Sequence, residues 1–183
     1  ELTAADVAYS LKRLVDPATR SPSRYLLDGR IVGLDALARA PDGRFDYDAP
    51  LEGLVVEDRH TLRIRLTRPD PNFLFVLAEP ATSVVAREVI EHYGADTMAH
   101  PVGTNAYRLD RWVRGSRIVL AANPRYRGFT WDFAPGDGPD DAALVARMRG
   151  RSMPAIGRVD IRIIEEPQSA WLAFEGGQLD TLN

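Results

Sequence analysis

Apolar residues recur at helical spacing near the start of the chain, at Val7, Leu11, Leu14 and Val15. Thr3 stands where it can cap the free amides, and Asp6 falls at the third helical position, so the pattern predicts a helix opened by Leu2-Thr-Ala-Ala-Asp6. Asp16-Pro17 ends it, because the residue before a proline is pushed out of the helical region. A weaker helical pattern follows, with Ile31, Leu34, Leu37 and Ala38 on one side, and Pro41-Asp-Gly43 reads as a turn. Then the period changes to two. Leu62, Ile64 and Leu66 alternate with Arg63 and Arg65, and Leu54 to Glu57 precedes them across Asp58-Arg-His60, which predicts a β-hairpin with one buried face. His60 falls at its loop and is expected to be solvated.

Pro69-Asp-Pro71 interrupts the pattern, Phe73 to Leu77 reads as a short buried helix, and Glu79-Pro80 stops it. Val85 to Tyr93 is a predicted helix with Val89, Ile90 and Tyr93 facing inward and Gly94 as its C-terminal cap. His92 lies in its last turn, where an imidazolium complements the helix dipole. Arg117 to Leu120 and Arg158 to Ile163 are predicted strands. Between them, residues 128–141 are rich in Gly, Pro and Asp and lead into a helical run from Ala142 to Met148, so 128–157 reads as a surface excursion. A last helix runs from Gln168 to Phe174 behind Pro167, ends at Gly176-Gly177, and is expected to be anchored by Trp171, Leu172 and Phe174.

The point where one kind of segment gives way to another is His100-Pro-Val-Gly-Thr-Asn-Ala-Tyr107. The proline favours an extended entry, and Gly103 can supply an irregular backbone angle. Thr104 and Asn105 add short polar groups, and Tyr107 adds an apolar ring with a polar tip. The stretch reads as a stiff bend between strands.

The 183 residues carry a formal net charge of -3 and are 45% hydrophobic, which suits a globular chain of one or two domains. There is no run of about 18 apolar residues to span a membrane. The start at Glu1 without methionine and the end just past a helix-like segment suggest a piece of a longer protein or a processed chain. With no cysteine there is no disulfide, thiol nucleophile or thiolate metal site. The arginines are scattered among acids along the chain, so nucleic acid is not an expected partner.

No constellation demands catalysis. Glu165 and Glu166 are adjacent, so on a persisting strand they point to opposite faces and cannot converge on one bond; they favour the next helix N-terminus instead. Asp132, Asp137, Asp140 and Asp141 lack the spacing and closing glutamate of a calcium loop. His92 and Asp96 have no third metal ligand at a fixed spacing. No nucleophile elbow, dinucleotide fingerprint or phosphate loop occurs. Catalytic residues, metal sites and cofactors are therefore expected to be none.

An ordered series of motifs does point somewhere. Leu2-Thr-Ala-Ala-Asp-Val-Ala-Tyr-Ser-Leu-Lys-Arg13 with Asp16-Pro17, Asp58-Arg-His-Thr-Leu62 and Pro69-Asp-Pro-Asn-Phe73 is followed by His100 to Tyr107. Trp112 to Leu120, Asn123-Pro-Arg-Tyr126 and Gly177-Gln-Leu-Asp180 complete it. The series resembles the extracellular solute-binding proteins of the oligopeptide, dipeptide and nickel type (family 5) that serve ABC importers. Two departures stand out: the family usually has Gly-Thr-Gly-Pro-Tyr where this chain has Gly103-Thr-Asn-Ala-Tyr107, and the 128–157 excursion exceeds the usual short link.

The resemblance implies an α/β fold of the periplasmic binding protein-like type II, present here in part: one lobe with its extra subdomain, the second lobe absent. Residues 1–100 would be the extra subdomain and 101–183 part of the main first lobe up to the hinge and cleft. It implies capture of a small solute by closure of two lobes and delivery to a membrane permease, in the periplasm or outside the cell. Peptide is the expected ligand, though the family also takes nickel complexes, sugars and other small molecules. By position, Thr181, Asn183 and Asn105 are candidate ligand contacts, and Gly103, Thr104 and Tyr107 are hinge or structural residues. A hydrolase or other enzyme domain with a similar α/β pattern is the alternative.

Overall fold

The computed structural model describes residues 1–39 and 45–182, and the turn expected at Pro41-Asp-Gly43 lies outside them. The chain divides into two compact units, Glu1–Thr97 and Met98–Asn183.

In the first unit, α1 (Ala4–Val15) is set by its N-terminus as the sequence predicts: the Thr3 amide and hydroxyl both donate to the Asp6 carboxylate, at 2.7 and 2.8 Å. Its Leu11, Leu14 and Val15 enter a core completed by Leu27, Ile31 and Leu34, the last on the one-turn helix α2 (Leu34–Leu37). The predicted hairpin is present as β1 (Leu54–Val56) and β2 (Leu62–Ile64), antiparallel, with Leu54 opposite Ile64 and Val56 opposite Leu62. Leu54 joins the core, and Gly53 beside it is obligatory because a Cβ would lie 2.2 Å from the Val32 carbonyl oxygen.

Helix α3 (Phe73–Leu77) departs from its expected burial. Phe73 and Val76 complete the core, whereas Leu74 and Phe75 are 76% and 73% exposed. A five-residue helix at the surface can turn only one side to the core, so an all-apolar sequence leaves the other side wet. Helix α4 (Arg87–Tyr93) begins two residues later than expected and has no fully buried residue; Val89 and Ile90 are half-buried and Tyr93 is exposed. Gly94 caps it at φ 51°, as predicted.

In the second unit, β3 (Tyr107–Val113) and β4 (Arg117–Ala122) form a hairpin whose register shifts between Leu109 and Arg111, the signature of a β-bulge. The excursion is more ordered than a loop. Its ends pair as β5 (Phe129–Thr130) and β6 (Ser152–Met153) around α5 (Asp141–Met148), and the Trp131 amide extends the ladder to the Arg151 carbonyl at 2.9 Å. Strand β7 (Arg158–Arg162) then adds to β4, giving an antiparallel sheet in the order β3-β4-β7.

Helix α6 (Pro167–Glu175) forms as predicted, but its aromatic and leucine residues are not anchors among the described residues: Trp171 and Leu172 are 52% and 58% exposed and Phe174 is also exposed. Among the described residues of this unit, Val119 and Val145 are the buried apolar ones, and Leu109, Ile118, Leu120 and Val159 are half-buried.

Candidate functional site

The bend at 100–107 is held from the far end of β4. The Asn123 amide donates to the Ala106 carbonyl at 2.8 Å, and the Asn123 carboxamide donates to the Asn105 carbonyl at 3.0 Å. The Asn105 side chain turns back on its own backbone, its oxygen accepting from the Ala106 amide at 2.7 Å. Tyr107 is half-buried, and its hydroxyl donates to the Ile156 carbonyl at 3.0 Å, which ties the end of the excursion to the start of β3. Asn123 carried no predicted role. Its signal was the Asn-Pro dipeptide, a turn former whose side chain also accepts from the Arg125 amide at 3.0 Å.

The other predicted residues stand differently. Gly103 does not hold the left-handed backbone that favours glycine, and a Cβ built there meets nothing within 4 Å, so the steric reason expected for a glycine at this position is overturned. His100-Pro101 supplies the extended entry without it. Thr104 and Thr181 are exposed, and among the described residues the Thr181 hydroxyl reaches the Leu182 carbonyl, at 3.5 Å. Asn183 lies outside the described residues. Asn105 and Tyr107 thus share one network through the β3–β4 end, and Thr181 has no hydrogen bond to it.

The first unit carries a cleft of about 290 Å³ lined by Tyr9, Lys12, Tyr47, Asp48, Leu54 and Arg87. Its polar groups are matched internally. The buried Lys12 ammonium donates to the Tyr47 and Ala49 carbonyls, both at 2.8 Å, and burial lowers its pKa. The Tyr47 hydroxyl donates to Asp16 at 2.5 Å, and burial followed by that bond raises its pKa well above the usual range. The Arg87 guanidinium lies 5.5 Å from the Tyr9 ring centroid and donates to Asp48 at 3.0 Å and to Glu91 at 2.6 Å. The Tyr9 and Tyr47 rings sit 4.8 Å apart. This is a clasp that closes the 45–51 segment onto α1. Sequence reasoning passed over Lys12, although it falls four residues after Ala8 and three before Val15, on the helix side that is buried.

Among the described residues no three His, Cys, Asp or Glu side chains gather to hold a metal ion. Glu166 does what the sequence suggested: its carboxylate accepts from the Ser169 amide and hydroxyl, both at 2.7 Å, and from the Gln168 amide at 3.3 Å, capping α6. Those bonds, led by the Ser169 hydroxyl, hold its pKa below the usual carboxylate range. No described helix is long and apolar enough to cross a membrane.

With this geometry in hand, comparison with known proteins is decisive for the family. The profile of bacterial extracellular solute-binding proteins, family 5 (middle), matches residues 1–183. The periplasmic oligopeptide-binding protein OppA of Salmonella typhimurium is 36% identical over 137 residues, covering 73% of this chain and 23% of that protein. A probable deoxycholate-binding periplasmic protein of Escherichia coli, YgiS, is 35% identical over 130 residues, 69% of this chain and 23% of the relative. Among solved structures, the murein tripeptide-binding protein MppA of Escherichia coli superposes with a TM-score of 0.70 at 26% identity, over 98% of this chain and 30% of its own. The chain therefore spans about a quarter to a third of the length of the proteins it matches, with their mixed helix and sheet fold over that portion. The chain belongs to the bacterial extracellular solute-binding proteins of family 5.

Proposed function

We propose that this chain is part of the solute-capturing component of an ABC importer, a periplasmic or extracellular protein that closes two lobes on an oligopeptide and presents it to a membrane permease. The observation that carries the reading is the 36% identity to an oligopeptide-binding protein across 73% of this chain. Peptide is favoured over other solutes because OppA and the structurally similar MppA are both named for binding peptides. YgiS is named for deoxycholate, which makes a bile acid the specific alternative ligand.

In this reading residues 1–100 are the extra subdomain of the first lobe, and 101–183 are part of its main body, with 128–157 on the surface. The described division at Thr97 is close to that boundary. Asn105, Thr181 and Asn183 are the candidate ligand contacts, and Gly103, Thr104 and Tyr107 are the candidate hinge residues. The Asn123 and Ile156 bonds support a holding role for the bend. Capture needs no bond-making group. Ligand stabilises the closed state by its differential affinity for it, and the permease reads the closed form. The alternative of a hydrolase gains no support from relatives named as binding proteins.

The test is a thermal shift of the full-length protein with defined oligopeptides, alongside a hydrolysis assay on the same peptides. Saturation at about 100 times Kd should add about 2.7 kcal/mol of stability without cleavage. Turnover of the peptide, or stabilisation by deoxycholate and by no peptide, would contradict the reading.

A further inference from the structure

The arginines that look scattered along the sequence are sorted by the sheet onto one side. Register places Leu109, Leu120 and Val159 in one row and Trp112, Ile118 and Ile161 in another, all on the same face. The rows between them carry Arg108 with Arg158, Arg111 with Asp160, and Arg117 with Arg162 on the opposite face. Same-face side chains recur about 7 Å apart along a strand and neighbouring strands lie about 5 Å apart, so five guanidinium groups share a compact area.

Only two carboxylates answer them. Asp160 pairs with Arg117, donor to acceptor at 2.7 Å, and Asp110 at the bulge meets Arg158 at 3.5 Å. Arg108, Arg111 and Arg162 are exposed and form no salt bridge among the described residues. Val119, at the centre of this face, is 0% exposed, so the patch has no apolar centre to anchor a protein partner.

From this we infer that the charged face of the β3-β4-β7 sheet docks the chain on an anionic phospholipid surface. Guanidinium forks match phosphate oxygens two at a time, and a flat array of them fits a flat array of headgroups. The exposed apolar residue of this face, Val113, stands in its edge row opposite Arg117, so a protein partner would find no central anchor. The chain as a whole carries a net charge of -3, so attraction to an anionic bilayer must come from a local patch such as this one.

The test is co-sedimentation of the full-length protein with vesicles of phosphatidylcholine containing about one third phosphatidylglycerol, at about 0.05 M salt. The chain is expected to bind these vesicles, to ignore pure phosphatidylcholine, and to be released at about 0.5 M salt. Replacing Arg108→Gln, Arg111→Gln and Arg162→Gln together should weaken binding roughly 100-fold. The charge-matched set Arg59→Gln, Arg63→Gln and Arg68→Gln, on exposed arginines of the first unit, should leave it unchanged. If the triple variant does not melt cooperatively, each single substitution is read instead, at about a fivefold loss. Equal binding to neutral vesicles, an equal loss in the charge-matched set, or displacement by a DNA duplex at a lower phosphate concentration than the lipid would overturn the inference.

Discussion

The Tyr47 hydroxyl donates to the Asp16 carboxylate across 2.5 Å, and this bond fastens the 45–51 segment to the end of α1. Asp16 is buried, and its other oxygen accepts from the Ala18 amide at 2.8 Å. Tyr47→Phe removes one donor and leaves the carboxylate short of a partner, so it should cost about 1 to 3 kcal/mol in urea denaturation. The pH dependence has a definite sign. The folded pKa of Tyr47 is raised, so its contribution is whole below the unfolded value of about 10 and is lost as pH rises beyond it. The stability gap between wild type and Tyr47→Phe should therefore narrow above pH of about 10.

Burial sets the contrast between two leucines. Leu11 is 1% exposed in the core, and Leu11→Ala should cost about 2 to 5 kcal/mol. Leu74→Ala, on the exposed side of α3, should stay within about 0.5 kcal/mol. Chemical denaturation of both variants checks this, and an equal cost would mean that Leu74 is covered in solution.

Two glycines should behave oppositely. Gly103→Ala meets open space and should leave the melting temperature within a degree or so of wild type, the usual scale for surface changes. Gly53→Ala pushes a methyl against the Val32 carbonyl and should abolish cooperative melting of the first unit or lower it sharply. Differential scanning calorimetry distinguishes them.

Much of the first unit was legible because local chemistry and tertiary packing agree there. Thr3 and Asp6 announce α1, the alternation at Leu62, Ile64 and Leu66 announces β2, and the structure keeps both. What escaped was long-range. Lys12 finds its acceptors 35 and 37 residues away, and no local pattern names a carbonyl partner. Likewise, Asn123 holds a bend 18 residues earlier. Gly103 failed in the other direction: a plausible conformational reason was assigned to a residue whose backbone does not need it. The arginine face was invisible because its arginines lie on three strands up to 54 residues apart in sequence (Arg108 to Arg162), and register decides which of them become neighbours.

Glu166 gives a prediction on the acid side. Its folded pKa is lowered by the Ser169 hydroxyl and the two helix amides, so its contribution is full above the unfolded value of about 4.3 and disappears as pH falls through the folded one. Glu166→Gln should flatten that part of the acid limb, and amide hydrogen exchange in the first turn of α6 should rise at neutral pH.

Capture of an oligopeptide without chemistry is tested most directly by native mass spectrometry of whatever co-purifies with the full-length protein. The expected result is masses of oligopeptides, bound at one per protein and released intact on unfolding. A single recurring non-peptide mass, or peptide fragments generated by the protein itself, would contradict it.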